Sequence, residues 1–492
     1  MSPKTLSPSE RNFFELVEAA AFANPFGQQR AEHDVSLAHT KVRDAGEQAE
    51  QAVLRVRAGL EDLWPLSLGE FEGRDREILE AAVLFDTFHR FREDFDDLVE
   101  RQRLGGEQPV QASFGKQVIA RLVEQGLSAE RALRFVGIFY QMRRAFYFAH
   151  HDLKGTSLSM RRLRERLWEN VFTHDVRLYE GHLWDRMEDF STFLVGQTGS
   201  GKGAAAAVLG RSSWIPYDEL AGRFARSFTE LFVPINLSQY PESLIESELF
   251  GHKKGAFTGA IEAHDGVFGR CQRHGVIFLD EIGEVSIPVQ IKLLRVLQER
   301  LYTPVGSHKA ERFEGRTVAA TNRPLEQLRR EGQFRDDFYY RLCSDVIELP
   351  SLRQRLDEDP SELQSLVEHI VTAILKQPIQ SVIERVLTTI KDHLPSDYPW
   401  PGNVRELEQC TRRAIIGRPY EGDPFGARHT VAAANQEATA LAQAVEAGTL
   451  EARTLLTRYC QLLYARYHTY EEVGRRTGLD RRTVKRHIED AI

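Results

Sequence analysis

Cysteine is scarce in this sequence: there are four in 492 residues, Cys271, Cys343, Cys410 and Cys460. No two form a C-x-x-C pair, which argues against a disulfide scaffold or a zinc ribbon and for a reducing compartment. Long apolar runs are lacking too. No stretch approaches the roughly 18 consecutive apolar residues of a membrane span. The opening segment MSPKTLSPSERNFFELVEAA carries acidic residues where a signal peptide needs an apolar run. These absences set the expectation of a cytoplasmic chain with no membrane partner. Net positive charge is also missing: 64 Lys and Arg stand against 72 Asp and Glu, a formal charge of −8. A chain that is basic throughout is excluded. A local basic element is not, because a whole-chain sum cannot see one.

What is present is the composition of a soluble globular protein, 42% hydrophobic and 28% charged. The length predicts about three domains. Residues 1–150 read as helical. Apolar residues at Val35, Ala38, Val42, Ala45, Ala49, Ala52 and Val56 recur at alternating steps of three and four, the stripe of one long helix. A second pattern runs through Ile78, Ala81, Phe85, Phe88, Phe95 and Val99. A third runs through Ala132, Val136, Phe139, Arg143 and Phe146, where Arg143 interrupts the stripe. An all-α regulatory or oligomerisation domain is expected here, as a bundle or coiled hairpin. His33, His39, His89, His150 and His151 fall in no ligand spacing with a carboxylate, so no metal sensor is expected. From about 155 the texture changes. The β-rich runs STFLVG (191–196), ELFVPIN (230–236), GVIFLD (275–280) and TVAAT (317–321) alternate with helical stretches, which predicts a parallel sheet covered on both faces. A Gly- and Pro-containing stretch after 417, then an Ala-rich helix, read as a linker over 418–447. Residues 448–492 read as helical.

The run Gly196-Gln197-Thr198-Gly199-Ser200-Gly201-Lys202-Gly203 follows a predicted strand and precedes the helical AAAAVL. Strand, Gly-rich loop and helix in that order are the context of a phosphate-binding loop. Glycines let successive N–H groups curl round the phosphates, and the helix adds its positive end. Lys202 can reach the β and γ phosphates. Gly203 offers no hydroxyl to Mg²⁺ where a Ser or Thr is usual. The second element is GVIFLDEIGEV, in which a buried strand ends in two acids. Ligands of open α/β sheets bind at that end. Asp280 is placed to hold Mg²⁺ and Glu281 to polarise an attacking water. Together the two motifs indicate nucleotide hydrolysis.

Between them stands ESELFGHKKGAFTGA (246–260). It resembles the signature of the sigma-54-dependent transcription activators, bacterial enhancer-binding proteins of the AAA+ class. The diagnostic hexapeptide is Gly255, Ala256, Phe257, Thr258, Gly259 and Ala260. Phe257 is an aromatic between small residues in a predicted flexible loop, a candidate partner contact. The resemblance implies that this loop engages sigma-54. It also implies that Asn236 switches Glu281 and that Asn322, in AATNRPL, lies near the γ-phosphate. Arg335 and Arg341, in FRDDFYYRL, would be fingers reaching a neighbouring subunit. Arg405, in YPWPGNVREL, would meet the nucleotide of its own subunit. ATP with Mg²⁺ is the implied cofactor pair, a ring of six the implied self-assembly, and sigma-54 RNA polymerase holoenzyme the implied partner. The resemblance spans residues 155–415. It departs at Gly203, where an acid is usual, and at Gln197, where Glu is usual. SWIPYDELAGRFARSF (213–228) reads as an insert, and SLRQRLDEDP (351–360) is a loose version of the segment that follows the fingers.

The tail YEEVGRRTGLDRRTVKRHIEDAI (470–492) reads as helix, tight turn, helix. Gly478 ends the first helix and Asp480 caps the second. Arg481, Arg482, Thr483, Lys485 and Arg486 lie on its early turns, the part that a helix-turn-helix inserts into the major groove. The tail resembles the Fis-type DNA-binding element of these activators and implies binding to upstream double-stranded DNA. The expected layout is therefore multidomain. An all-α domain (1–150) precedes an α/β AAA+ P-loop ATPase (155–350) with a helical lid (351–417), a linker (418–447) and a Fis-type helix-turn-helix (448–492). The expected function is ATP-dependent activation of sigma-54 polymerase. The alternatives are an AAA+ ATPase that remodels another protein or nucleic acid, and a DNA-binding module whose assembly nucleotide controls.

Overall fold

The structure, a computed structural model, describes every residue except 1–2, 40–43, 423–440, 442–443, 446, 449, 468–469 and 490–492. It divides into two compact units, residues 1–369 with 402–405 and residues 370–401 with 406–492.

The first unit opens with helices. Helix α1 (Pro8–Phe22) starts in a capping box: Glu10 N donates to the Ser7 hydroxyl, and Ser7 N donates to the Glu10 carboxylate. The long helix expected over 35–56 is two helices, α2 (Gln28–Ala38) and α3 (Ala45–Glu61). His39 ends α2 in the left-handed region, with φ 50°, and Asp44 caps α3 by accepting from Glu47 N at 3.0 Å. A local stop and a local start thus override the apolar stripe, whose Val42 lies outside the described residues. There follow α4 (Gly73–Arg90), α5 (Arg92–Gly105), α6 (Phe114–Glu124), α7 (Ala129–His151), α8 (Leu158–Phe172) and the short α9 (Val176–Leu178).

The first sheet strand, β1 (Thr192–Val195), runs through the Gly-rich loop into α10 (Lys202–Arg211). A two-stranded ribbon, β2 (Tyr217–Asp218) and β3 (Arg223–Phe224), lies in the expected insert. Then come β4 (Phe232–Asn236), α11 (Glu242–Phe250), α12 (Val267–Arg270), β5 (Val276–Asp280) and α13 (Ile287–Glu299). A second ribbon, β6 (Leu301–Tyr302) with β7 (Glu311–Arg312), precedes β8 (Arg316–Thr321). The unit continues through α14 (Leu325–Arg330), α15 (Asp336–Leu342), β9 (Asp345–Glu348) and α16 (Leu352–Glu358) into α17 (Glu362–Leu375).

The sheet is parallel, in the order β4-β5-β8-β1-β9. Its strands are the four read from the sequence plus β9. Period-2 alternation divides their side chains between two cores. Leu194, Val276, Phe278, Val318 and Ala320 face one core, and Phe193, Ile277, Leu279 and Ala319 the other. The first of these cores continues into the N-terminal helices. It takes in Phe139, Tyr140 and Phe148 of α7 and Trp214, Tyr217, Phe224 and Phe228 of the insert. Tyr140 packs on Phe224 with ring centroids 4.1 Å apart, and Phe148 on Phe228 at 5.1 Å. Gly137 is required for this approach, since a Cβ there would stand 2.3 Å from the Trp214 ring. The expected division near residue 150 falls inside this continuous core.

In the second unit, α18 (Gln380–His393) and the body of α19 (Asn403–Ile415) precede three C-terminal helices. These are α20 (Ala452–Tyr467), α21 (Tyr470–Thr477) and α22 (Arg481–Glu489). The last three enclose a small core of Cys460, Leu463, Val473, Val484 and Ile488. Most of the expected linker, with its Ala-rich helix, lies outside the described residues. No helix among the described residues is long and apolar enough to cross a membrane.

Candidate functional site

The site gathers at the C-terminal ends of β1, β5 and β8, neighbours in the sheet. Gly196, Gly199 and Gly201 of the loop after β1 all have positive φ. Gly199 has a second reason to be glycine: a Cβ there would lie 2.2 Å from the Gly402 carbonyl oxygen. Val404 N donates to Gly199 O at 3.2 Å. Asn403, fully buried, donates from Nδ2 to the Gln197 side chain and the Thr198 carbonyl and accepts from Leu352 N at 2.7 Å. The 402–405 segment is thereby tied to the phosphate loop and brings exposed Arg405 beside Gly199. Sequence reading singled out Arg405 and missed Asn403. Its signal was the Pro-Gly-Asn turn, for Asn403 is itself left-handed with φ 51°.

Lys202 begins α10 and is buried. Its Nζ donates to Gly196 O at 2.8 Å, to Gln197 O at 3.1 Å and to the Asn322 side chain. Burial lowers the Lys202 ammonium, and the carboxylates of Glu281 and Asp280 oppose that shift. Burial raises the Asp280 carboxyl, against the Glu281 N–H, Lys202 and Arg405. Glu281 has φ 58° and ψ 44°, a left-handed conformation uncommon for a residue with a side chain. Its carboxylate accepts from Asn322 N at 3.1 Å and from the Asn322 amide. Lys202, Asn322 and Glu281 thus form one connected chain across three strand ends. Asn236 stands in register with Asp280 at the end of β4, but its Oδ1 accepts from Ser238, while Glu281 is held by Asn322.

The donors suit a nucleotide phosphate and Mg²⁺. The Ser200 hydroxyl is buried in the loop without a hydrogen-bond partner. A Cβ at Gly203 would meet only Phe278, at 4.0 Å, so the missing hydroxyl leaves space at that position. Asp280 is then the carboxylate on hand for Mg²⁺, which usually keeps several waters.

The other end of α10 is gripped by α7. Arg144 donates from Nη1 to Arg211 O at 2.6 Å and from Nη2 to Ser213 O at 2.7 Å. Gln141 donates to Ser212 O at 2.9 Å and accepts from the Tyr179 hydroxyl at 2.9 Å. A cation and an amide so cap the last carbonyls of the helix that carries Lys202. Sequence reading noticed Arg143 and passed over Arg144. In the structure Arg143 pairs with Asp96, at 2.6 Å, while Arg144 is fully buried.

Residues 255–260 form a tight turn. Gly255 N donates to Ala260 O at 2.8 Å, and Gly255 and Gly259 have φ 79° and 103°. Phe257 is 38% exposed and rests edge-on against His252. Neighbouring Ile261 is 77% exposed. Arg335 pairs with Asp337 at 2.6 Å, and Arg341 donates to Leu297 O at the end of α13. Their contacts here are with Asp337 and Leu297, away from Lys202, Asn322 and Glu281. On α22, Arg481, Arg482, Lys485 and Arg486 are exposed. Asp480 caps the helix through Arg482 N at 2.9 Å and Thr483 N at 3.0 Å, and Gly478, with φ 73°, closes α21.

A phosphate loop on a parallel sheet, with an acid pair and Asn322 across the strand ends, defines a P-loop ATPase core. Comparison with known families narrows the class. Residues 184–348 match the sigma-54 interaction domain and residues 358–457 the AAA+ ATPase lid domain. The chain therefore carries a sigma-54 interaction domain followed by an AAA+ lid. Over 260 residues it is 40% identical to the DNA-binding transcriptional regulator NtrC of Azospirillum brasilense, covering 52% of this chain and 49% of that one. Over 226 residues it is 42% identical to the nitrogen fixation protein AnfA of Azotobacter vinelandii, covering 46% and 39%. The chain spans about half or less of the length of these relatives. The solved structure of NtrX from Brucella abortus in complex with ATP aligns over 76% of this chain and 80% of that one, at 19% identity and a TM-score of 0.42, a likeness too loose to carry an inference.

Proposed function

We propose that this chain hydrolyses ATP in a ring of its own copies, six in number, and uses the energy to remodel sigma-54 RNA polymerase from upstream DNA. The observation that carries the reading is the exposed Phe257 turn, projecting from the same domain as the Lys202–Asn322–Glu281 chain. Lys202 and the loop N–H groups would hold the phosphates, and Glu281 would take the proton of the attacking water. Mg²⁺, held by Asp280, would neutralise charge on the phosphate oxygens. Asn322 fixes the Glu281 carboxylate and touches Lys202, so phosphate arrival at Lys202 would be felt at Glu281. Asn236 is the second partner to which Glu281 would switch. Arg335 and Arg341 would serve a neighbouring subunit after leaving Asp337 and Leu297, and Arg405 the nucleotide of its own. The cationic start of α22 would enter the major groove through Arg481, Arg482, Thr483, Lys485 and Arg486.

The test is open-complex formation by purified sigma-54 holoenzyme on a promoter with the upstream site, with and without this protein and ATP. Activation that requires ATP supports the reading; ATP hydrolysis without promoter opening overturns it. Phe257→Ala is expected to lower open-complex formation about thirty-fold, the loss that follows from removing a hot spot of about 2 kcal/mol. Basal ATP turnover should remain, because the residue lies outside the phosphate site. Equal loss of both activities would point to an ATPase with another target.

A further inference from the structure

Three arginines from three helices converge on one buried carboxylate in the N-terminal bundle. Asp86 of α4, 1% exposed, accepts from Arg57 Nε at 3.1 Å, Arg90 Nε at 2.7 Å and Arg121 Nη2 at 2.6 Å. Arg121 also reaches the Thr87 hydroxyl at 3.3 Å, and Arg90 lies 3.7 Å from Glu61, which is 67% exposed. Each guanidinium has five N–H donors, and these contacts use a minority of them. The three groups line a cavity of about 250 Å³. Its other walls include the buried side chains of Leu60, Leu66 and Val83, and Trp64 stands at its rim, 66% exposed. Positive charge in this region is general: burial and then the charges of Arg30, Arg92, Arg143 and Arg57 hold His89 well below the usual range.

From this juxtaposition we propose that the cavity binds a small organic anion with a flat apolar body. Its head would meet the spare N–H groups of Arg57, Arg90 and Arg121, and its body would lie between Trp64 and the Leu60–Leu66–Val83 wall. Three delocalised forks with a single buried counter-charge favour a planar carboxylate or a phosphate ester, which they can hold bidentately. An exposed Trp beside an apolar wall favours a flat partner over a bare inorganic ion. The volume falls below the roughly 300–1,000 Å³ of a drug-sized site, which limits the occupant to a small molecule. The site is independent of the ATPase reading, since none of its residues belongs to the phosphate loop or the strand ends.

The test is calorimetric titration of the full chain with benzoate, phenyl phosphate, inorganic phosphate and benzylammonium. Benzoate or phenyl phosphate is expected to saturate one site, and the tighter of the two identifies the head group. Trp64→Ala should weaken that probe about tenfold, the equivalent of roughly 1.4 kcal/mol of stacking, without altering thermal unfolding, because the ring is mostly in solvent. Arg121→Gln should weaken it further, with circular dichroism confirming the fold. Lys202→Ala should leave binding intact, which separates this cavity from the phosphate loop. The proposal is overturned if neither aromatic anion saturates, if benzylammonium or inorganic phosphate binds as tightly, or if Trp64→Ala and Arg121→Gln both bind like wild type.

Discussion

Glu281→Gln is expected to lower ATP turnover on the order of 10²–10⁴-fold while nucleotide still binds, the range lost when a positioned general base is removed. Gln keeps the size of the side chain and one oxygen for Asn322 N, so the chain from Lys202 through Asn322 stays assembled. What is lost is the carboxylate that takes the proton of the attacking water. The backbone at 281 sharpens the expectation. A left-handed residue bearing a side chain costs on the order of 1–3 kcal/mol, and here that conformation aims the carboxylate at Asn322. Steady-state phosphate release and binding of a fluorescent ATP analogue, measured on the same preparation, separate turnover from affinity. Lys202→Ala should fail in the other way, losing affinity, because Lys202 is the cation of the phosphate loop. Turnover of Glu281→Gln within tenfold of wild type would remove Glu281 from the base role.

The parts legible in the sequence are those whose chemistry is local. A Gly-rich loop needs its glycines at fixed steps, and Gly196, Gly199 and Gly201 all take the positive φ that the motif anticipates. Three of the four apolar runs became strands buried on both faces, β1, β5 and β8, and such a parallel strand has little freedom of composition. The cap at Asp480 and the stop at Gly478 are likewise written in a few adjacent residues. The misreading at 35–56 has the converse cause. Apolar periodicity was continuous there, but a cap and a left-handed residue five positions apart outweigh it, and the stripe folds into two helices. Asn236, Arg335 and Arg341 show a further limit. Their residue types and places match a motif, yet their hydrogen bonds here go elsewhere: Asn236 and Arg335 bond locally to Ser238 and Asp337, two residues along the chain, and Arg341 to Leu297, 44 residues away. Asn403, Gln141 and Arg144 were invisible because their partners are distant in the sequence. Each satisfies backbone groups that lie between 51 and 205 residues away in the chain. The aromatic insert at 213–228 held the one available hint. So many rings on an insert require a partner, and that partner is α7.

Arg144→Met should destabilise the first unit by about 3–5 kcal/mol, the cost of orphaning two part-buried carbonyls and losing a charge-assisted cap. Among the described residues, no carboxylate stands beside Arg144. Burial pulls its guanidinium down to about 10, so it is still protonated at neutral pH. Its counter-charge is the negative end of α10, together with the face of Tyr140, 4.4 Å from the guanidinium carbon. Met fills much of the volume but supplies no donor to Arg211 O or Ser213 O, so the loss is polar more than steric. A fall of roughly 4–6 °C in melting temperature follows for a unit of this size. Arg144→Lys should recover part of it, since an ammonium keeps the charge but cannot span two carbonyls with a rigid fork. The same substitutions read out function, because α10 is a rod of about 15 Å with Lys202 at one end and the clamp at the other. If α7 sets the seat of α10, turnover falls in Arg144→Met at a temperature where the protein is still folded, and Arg144→Lys restores it in the same order as stability. A purely structural cap would lower the melting temperature and leave the turnover of the folded fraction unchanged. That comparison decides whether the N-terminal helices hold the phosphate loop in place or only share its core.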